Sequence, residues 1–318
     1  MRHTRRVSTN ETVHEPLHPR DVILGRSTHV RRILPHKVRR MVGAWCFLDL
    51  FGPDDIKEIG GMWVPPHPHT GLQTVTWLFE GLGRHTDSLG SDQLIRPGQL
   101  NVMTAGHGIC HAEVSPEEAP RVLHGVQLWV ALPEADRDTA AADFTHLAQL
   151  PTFSEAGATV TVLIGDLAGH RSAAPSFSPL VGSEVRLTGE ASLRLPVERD
   201  FEYAVLAVGG PLRVADAVVE PQVMSFLGDG HAHLELEAPE GDVIALLLGG
   251  VPFEEQILMW WNFIGRSHEE IVQQREDWNG TGLDFEPDRY GVVRGFAGDR
   301  LLAPPMPTTR LRPRGRVA

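Results

Sequence analysis

His67-Pro68-His69-Thr70-Gly71, read together with Gly106-His107-Gly108-Ile109-Cys110-His111-Ala112-Glu113, organises the rest of this chain. In an extended segment, residues two apart project from the same face. His67 and His69 therefore share a face. Pro65, Pro66 and Pro68 keep the backbone extended there, because proline fixes its own φ and turns the preceding residue away from helix. His111 and Glu113 repeat the spacing. Two neighbouring strands would bring three imidazoles and one carboxylate to a common point. Such a set suits a borderline divalent metal, and His-rich sites with a carboxylate and open positions are typical of non-heme Fe(II). With sixteen histidines in the chain, a single His-x-His pair reads equally as a polar surface, so the weight rests on both pairs together.

The 318 residues are enough for two ordinary domains, each with its own core. An apolar content of 42% and a charged content of 22% fit a soluble globular protein. No apolar run reaches the roughly 18 residues of a membrane span, and the arginine-bearing start has no apolar segment of the secretory type behind it. Cys46 and Cys110 are too few for a disulfide framework and fit a reducing compartment, so the cytoplasm is expected. Cys110 precedes His111 and so faces away from it, where it reads as a small packed hydrophobe. A net charge of −12 argues against direct nucleic-acid binding. Arginines gather at both ends, from Arg2, Arg5 and Arg6 to Arg39 and Arg40, and from Arg310 to Arg316. They read as solvated termini without assigned function.

The remainder is strand and turn. Residues 1–20 have no apolar periodicity and read as a flexible or edge-draped arm. Trp45 to Phe51 is an apolar strand ended by a Gly52-Pro53 turn, with Phe47 and Phe51 suited to core packing. Thr74 to Phe79 is β-branched and aromatic. The Gly81-Leu82-Gly83 turn lacks a following helix and is not a nucleotide loop. Gly106 and Gly108 bracket a bend at His107, and Val122 to Leu132 forms a further strand. The first unit is expected to end near residue 150. A second series of short strands follows, then a helix from about His268 to Trp278, for which Ser267 and Glu270 form a capping box. Residues 288–318 read as an extended tail.

The run from His67 to Gly71, with Asp87-Ser88-Leu89-Gly90, Ile95-Arg96-Pro97-Gly98, Met103-Thr104-Ala105-Gly106, His111-Ala112-Glu113 and Gln127-Leu128-Trp129-Val130, resembles the pirin family. That resemblance implies an all-β protein of the cupin superfamily: two jelly-roll β-barrels with a short C-terminal helix. It places a metal-binding barrel over 21–150 and a second barrel with the closing helix, free of metal, over 151–287. It implies one Fe(II) per chain in the first barrel, held by His67, His69, His111 and Glu113, with other divalent metals as substitutes. His231-Ala232-His233 repeats the first spacing, but no His-x-Glu pair follows it. Many pirins carry arginine where this chain has His107, a difference that reads equally as a change at the pocket rim or as inert. Gln73 stands where cupin motifs often carry glutamate, so it is not expected to ligate. The run Met259-Trp260-Trp261-Asn262-Phe263 resembles the family's C-terminal segment and reads as a closing hydrophobic contact.

Some pirins are similar to quercetinases, which open a flavonol ring with dioxygen. The resemblance then implies a small aromatic substrate and dioxygen, with Glu113 as catalytic base as well as ligand, and with Phe47, Phe51 and Trp77 as candidate pocket walls; a monomer is expected. The competing reading is a non-enzymatic, iron-dependent redox regulator that binds partner proteins.

Overall fold

The computed structural model describes residues 13–24, 28–280 and 288–317. Expectations for 1–12, for Arg26 and for 281–287 lie outside these residues. The chain is almost entirely β, in two halves of matching construction. The first half pairs a seven-stranded sheet, running from Asp143–Leu147 at one edge to Arg20–Leu24 at the other, with a four-stranded sheet of Trp63–His69, Ile109–Val114, Gly83–Asp87 and Asp92–Ile95. The second half repeats the plan with a seven-stranded sheet from Glu15–Leu17 to Thr152–Glu155 and a four-stranded sheet of Ser192–Pro196, His233–Glu237, Leu212–Val214 and Ala217–Val219. No helix among the described residues is long and apolar enough to cross a membrane.

Central strands of the first large sheet are buried on both faces. Leu72–Glu80 is buried from end to end except at Glu80, which is why its sequence is a continuous apolar and β-branched run rather than an alternation. One face lines the first barrel; the other meets the second half. Trp45 donates its indole N–H to the carbonyls of Val181 and Gly249, at 3.1 and 3.2 Å, and Trp77 donates to Glu184 at 2.8 Å. Gly43, at φ 52°, lies so close that a Cβ would stand 2.8 Å from Gly250 Cα. Only glycine fits there. The two halves therefore do not keep wholly separate cores: one apolar cluster holds Trp45, Leu72 and Val126 together with Leu206, Met224 and Leu246, while a second lies within the C-terminal half.

The arm expected over 1–20 is, in its described part, built into the fold. Glu15–Leu17 pairs antiparallel with Met224 to Phe226 of the other half, and Leu17 is fully buried. The segment is too short to show an apolar period, so its pairing was hidden in the sequence. The strand at Trp45 continues through Gly52 to Asp55 instead of turning at Gly52-Pro53, because Gly52 takes φ 74° where the pairing with Val122–Ala131 shifts register.

The helix spans His268–Asn279, and Ser267 accepts from the Glu270 N–H at 3.2 Å. The reciprocal half of the expected capping box is displaced by one residue: Glu270 accepts from the Arg266 N–H at 2.8 Å and from Arg137. The tail 288–317 is irregular but packed. Tyr290, Val293 and Ala303 are buried with Cys110, Ala112 and Trp278, and Arg314 exchanges backbone hydrogen bonds with Ile257. Its arginines are not all free in solvent, since Arg310 pairs with Glu269 and Arg316 with Glu202.

Two measurements check this packing. Leu17→Ala is expected to lower unfolding stability by about 2–5 kcal/mol, the cost of a core truncation; a draped arm would cost under about 0.5. His124 packs against Phe79 with its Nε2 buried and unpaired, and burial, helped by Arg31, lowers its pKa to about 4. Above pH 6.5 the ring is neutral folded or unfolded and adds nothing. As pH falls from 6.5 towards 4, the unfolded chain takes the proton first, so stability drops across that window and then levels. His124→Phe should reduce the loss between pH 7 and 4 by on the order of 1 kcal/mol, a value discounted for partial exposure, as read from urea midpoints.

Candidate metal centre

The strands Trp63–His69 and Ile109–Val114 lie side by side and antiparallel, with His111 directly opposite His67 and Ile109 opposite His69. That pairing brings the three histidines together. Nε2 of His69 stands 3.1 Å from Nε2 of His111, and the His67 ring lies 4.4 Å, centroid to centroid, from His111. All three are buried. The pairing shifts register between His111 and Glu113, and the other neighbour, Gly83–Asp87, sets His85 opposite Glu113. Donor atoms of His85, His111 and Glu113 consequently form a second group sharing His111 with the first.

Burial keeps the imidazoles in their neutral, metal-binding form: the His67 pKa is lowered to about 4, and those of His69 and His111 lie well below the ordinary value. The Pro65 carbonyl, 2.9 Å from His67 Nδ1, can only accept, so Nδ1 carries the hydrogen and Nε2 keeps its lone pair. Burial raises the Glu113 pKa, opposed by His85 and by a hydrogen bond to Thr76. Three buried neutral imidazoles, with two Nε2 atoms turned on each other at 3.1 Å, fit donors of a divalent transition metal; the expected fourth ligand, Glu113, is grouped with His85 and His111 and not with all three histidines.

The cluster forms one end of a cavity of about 400 Å³. Phe47 and Trp129 stack at 4.0 Å and 12° along one wall, and Trp129 meets His69 edge to face at 5.1 Å. Met259, Trp261, Asn262 and Leu301 also line the cavity. Arg32 holds buried Asp49 through two hydrogen bonds of 2.8 and 2.7 Å, its guanidinium 4.4 Å above Phe47. Burial raises the Asp49 pKa against the pull of Arg32.

Other expected residues fall elsewhere. Phe51 packs with Val30, Leu78 and Leu123, and Trp77 reaches the second half, so neither lines the cavity. Gln73 donates to Thr104 at 3.0 Å. His107 is exposed, 4.0 Å from Asp138. Cys110 faces away from the histidines, donating to the Gly291 carbonyl at 3.3 Å, and burial pushes its thiol pKa up to about 11. In the second barrel, His231 bonds the Leu227 carbonyl and His233 stands beside Arg194 and Glu235. Trp129, Arg32, Asp49, His85 and Asp87 were given no role on sequence grounds, and Met259 and Trp261 read there as a closing hydrophobic contact. Strand alternation from Phe47 to Asp49, and from Gln127 to Trp129, was the available signal.

Residues 27–130 match the Pirin family and residues 182–284 the pirin C-terminal cupin domain. The chain belongs to the pirin family. A Pseudomonas aeruginosa pirin relative, provisionally named quercetin 2,3-dioxygenase, is 45% identical over 286 residues, covering 89% of this chain and 88% of its own. Human pirin is 30% identical, over 70% of this chain and 78% of its own. A crystal structure of quercetin 2,3-dioxygenase from Acinetobacter baumannii superimposes with a TM-score of 0.87 at 40% identity, covering 94% of this chain and 97% of that one.

Removing a central imidazole should empty the site. His111→Ala is expected to reduce bound metal to a small fraction of the parent's by elemental analysis of protein loaded and desalted identically, whereas His107→Ala should retain it.

Proposed function

We propose that this pirin is an iron-dependent dioxygenase that opens the ring of a flavonol such as quercetin, or of a related phenolic or enolic substrate. The observation that carries the reading is the cavity of about 400 Å³ with three imidazoles and Glu113 at one end and an aromatic wall of Phe47 and Trp129 beside them. The ligands in this reading are His67, His69, His111 and Glu113, holding one Fe(II) per chain in a barrel spanning about 21–150; the same donors suit other divalent metals. Ferrous iron held there would supply the electron exchange with dioxygen that these side chains lack.

The chain's own residues do the rest. Phe47 and Trp129 offer flat faces to an aromatic ring. Trp261, Met259 and Leu301 shield the ring from water. Glu113, beside Thr76 and facing the cavity, takes the proton from the substrate hydroxyl, a role that requires reach before pKa. The names of the relatives, and a solved neighbour titled quercetin 2,3-dioxygenase at 40% identity, support the substrate class. A cytoplasmic monomer fits this reading, with Cys46 and Cys110 free and buried. The alternative, a redox regulator binding protein partners, gains less from a ligand cluster that faces a small-molecule cavity.

Oxygen uptake by anaerobically Fe(II)-loaded protein given quercetin is the test. Turnover is expected in the parent and a fall of about 10²–10⁴-fold in kcat for Glu113→Gln that still holds iron. No uptake by a fully loaded parent would remove quercetin from consideration.

A further inference from the structure

His85 and Asp87 are buried, ionisable and without a part in the scheme above, yet they touch it. Asp87 Oδ1 accepts the N–H groups of Leu89 and Ser91, each at 2.9 Å, which leaves Oδ2 for His85 Nε2 at 3.1 Å. The His85 ring is held flat against Phe144, centroids 4.2 Å apart and 15° from parallel. Its other nitrogen, Nδ1, lies 3.2 Å from Nδ1 of His111. Asp87 and His85 are each 3% exposed and His111 1%, so water does not offer these nitrogens ready alternatives.

We propose that Asp87 and His85 form a relay that fixes the tautomer of His111, keeping hydrogen on its Nδ1 and a lone pair on its Nε2. A carboxylate can only accept, so the hydrogen between Asp87 and His85 resides on His85 Nε2. A hydrogen on His85 Nδ1 would put the His111 hydrogen on Nε2, the nitrogen turned to His69, so in the relay His85 Nδ1 is the acceptor. The facing nitrogen of His111 must donate to it, and His111 Nε2 is left bare. That bare nitrogen is the one 3.1 Å from His69 Nε2, where a metal would be held. His67 obtains the same result locally from the Pro65 carbonyl. His111 has no such carbonyl and depends on two side chains instead. Groups behind a metal ligand that orient it in this way commonly alter affinity 10–100-fold. Asp87 and His85 are thus positioning residues. The inference rests on His111 being a metal ligand and not on the identity of the substrate.

Asp87→Asn separates this role from mere support. The single amide oxygen of the substituted side chain would keep the two backbone N–H bonds, because turning the amide would set its NH2 against two donors. The NH2 would then face His85 Nε2 and donate to it. Every hydrogen bond in the relay reverses: His85 Nδ1–H donates to His111 Nδ1, and the hydrogen of His111 moves to Nε2, where it blocks coordination.

Two-bond ¹H–¹⁵N correlation spectra of histidine-labelled, metal-free full-length protein read the tautomers directly, and competition with a chelator reads Fe(II) affinity. The parent should show His111 protonated at Nδ1. Asp87→Asn should show the hydrogen on Nε2, an unfolding midpoint near the parent's and affinity lowered about 10–100-fold. His85→Phe, which keeps the stack on Phe144, should lose the single tautomer and weaken Fe(II) binding. Parent protein with hydrogen on His111 Nε2, or with His85 as an imidazolium, would overturn the relay, as would Asp87→Asn with tautomer and affinity unchanged. If the parent takes up no Fe(II), the ligand reading fails, while the tautomer still decides the relay.

Discussion

The antiparallel register between Trp63–His69 and Ile109–Val114 is the constraint on which the centre depends. With His111 opposite His67, three imidazoles from two strands meet without any help from a loop. A slip of one residue would turn every side chain on the strand to the other face, bringing Cys110 and Ala112 inward. The shift of register after His111 also matters. It releases Glu113 from strict pairing with the first strand, while Gly83–Asp87 holds it opposite His85. A bulge beside a functional group commonly serves to re-aim one side chain.

Burial then decides the chemistry of what the register assembles. Removed from water, the histidines cannot easily take protons, so their lone pairs stay available; the same burial makes an unpaired nitrogen costly. A backbone carbonyl is the partner for His67 and the His85 ring for His111. Beside this polar centre Phe47 and Trp129 stack as an aromatic wall, and Arg32 and Asp49, also lining the cavity, are joined by two hydrogen bonds. The second half, with no comparable cluster among its described residues, covers the outer face of the large sheet and so steadies the strands that line the cavity.

The cluster of His67, His69 and His111 was legible because it is local: a His-x-His and a His-x-Glu pair on extended segments, each bracketed by proline or glycine. The strands and the helix were legible for the same reason, since Leu72–Glu80 and His268–Asn279 carry their own period and cap. What escaped was long-range. Leu17 belongs to a three-residue strand whose partner lies more than two hundred residues on. Trp77 and Phe51 carry the same chemistry as Phe47, but one faces the other half and one sits further along its strand, in another cluster. Trp261 read as a closing contact because nothing local distinguishes a residue that covers a core from one that covers a cavity. Glu270 matched a capping box in sequence, yet its carboxylate is drawn to Arg266 and Arg137.

The central claim concerns which atoms hold the metal, and X-ray absorption at the iron edge of the anaerobically loaded, full-length protein tests it most directly. The account predicts a light-atom shell with the scattering signature of three imidazoles, an oxygen contribution that changes in Glu113→Gln, and no sulfur. A spectrum with a sulfur neighbour, with fewer than three imidazoles, or with no response to the Glu113 substitution would contradict it.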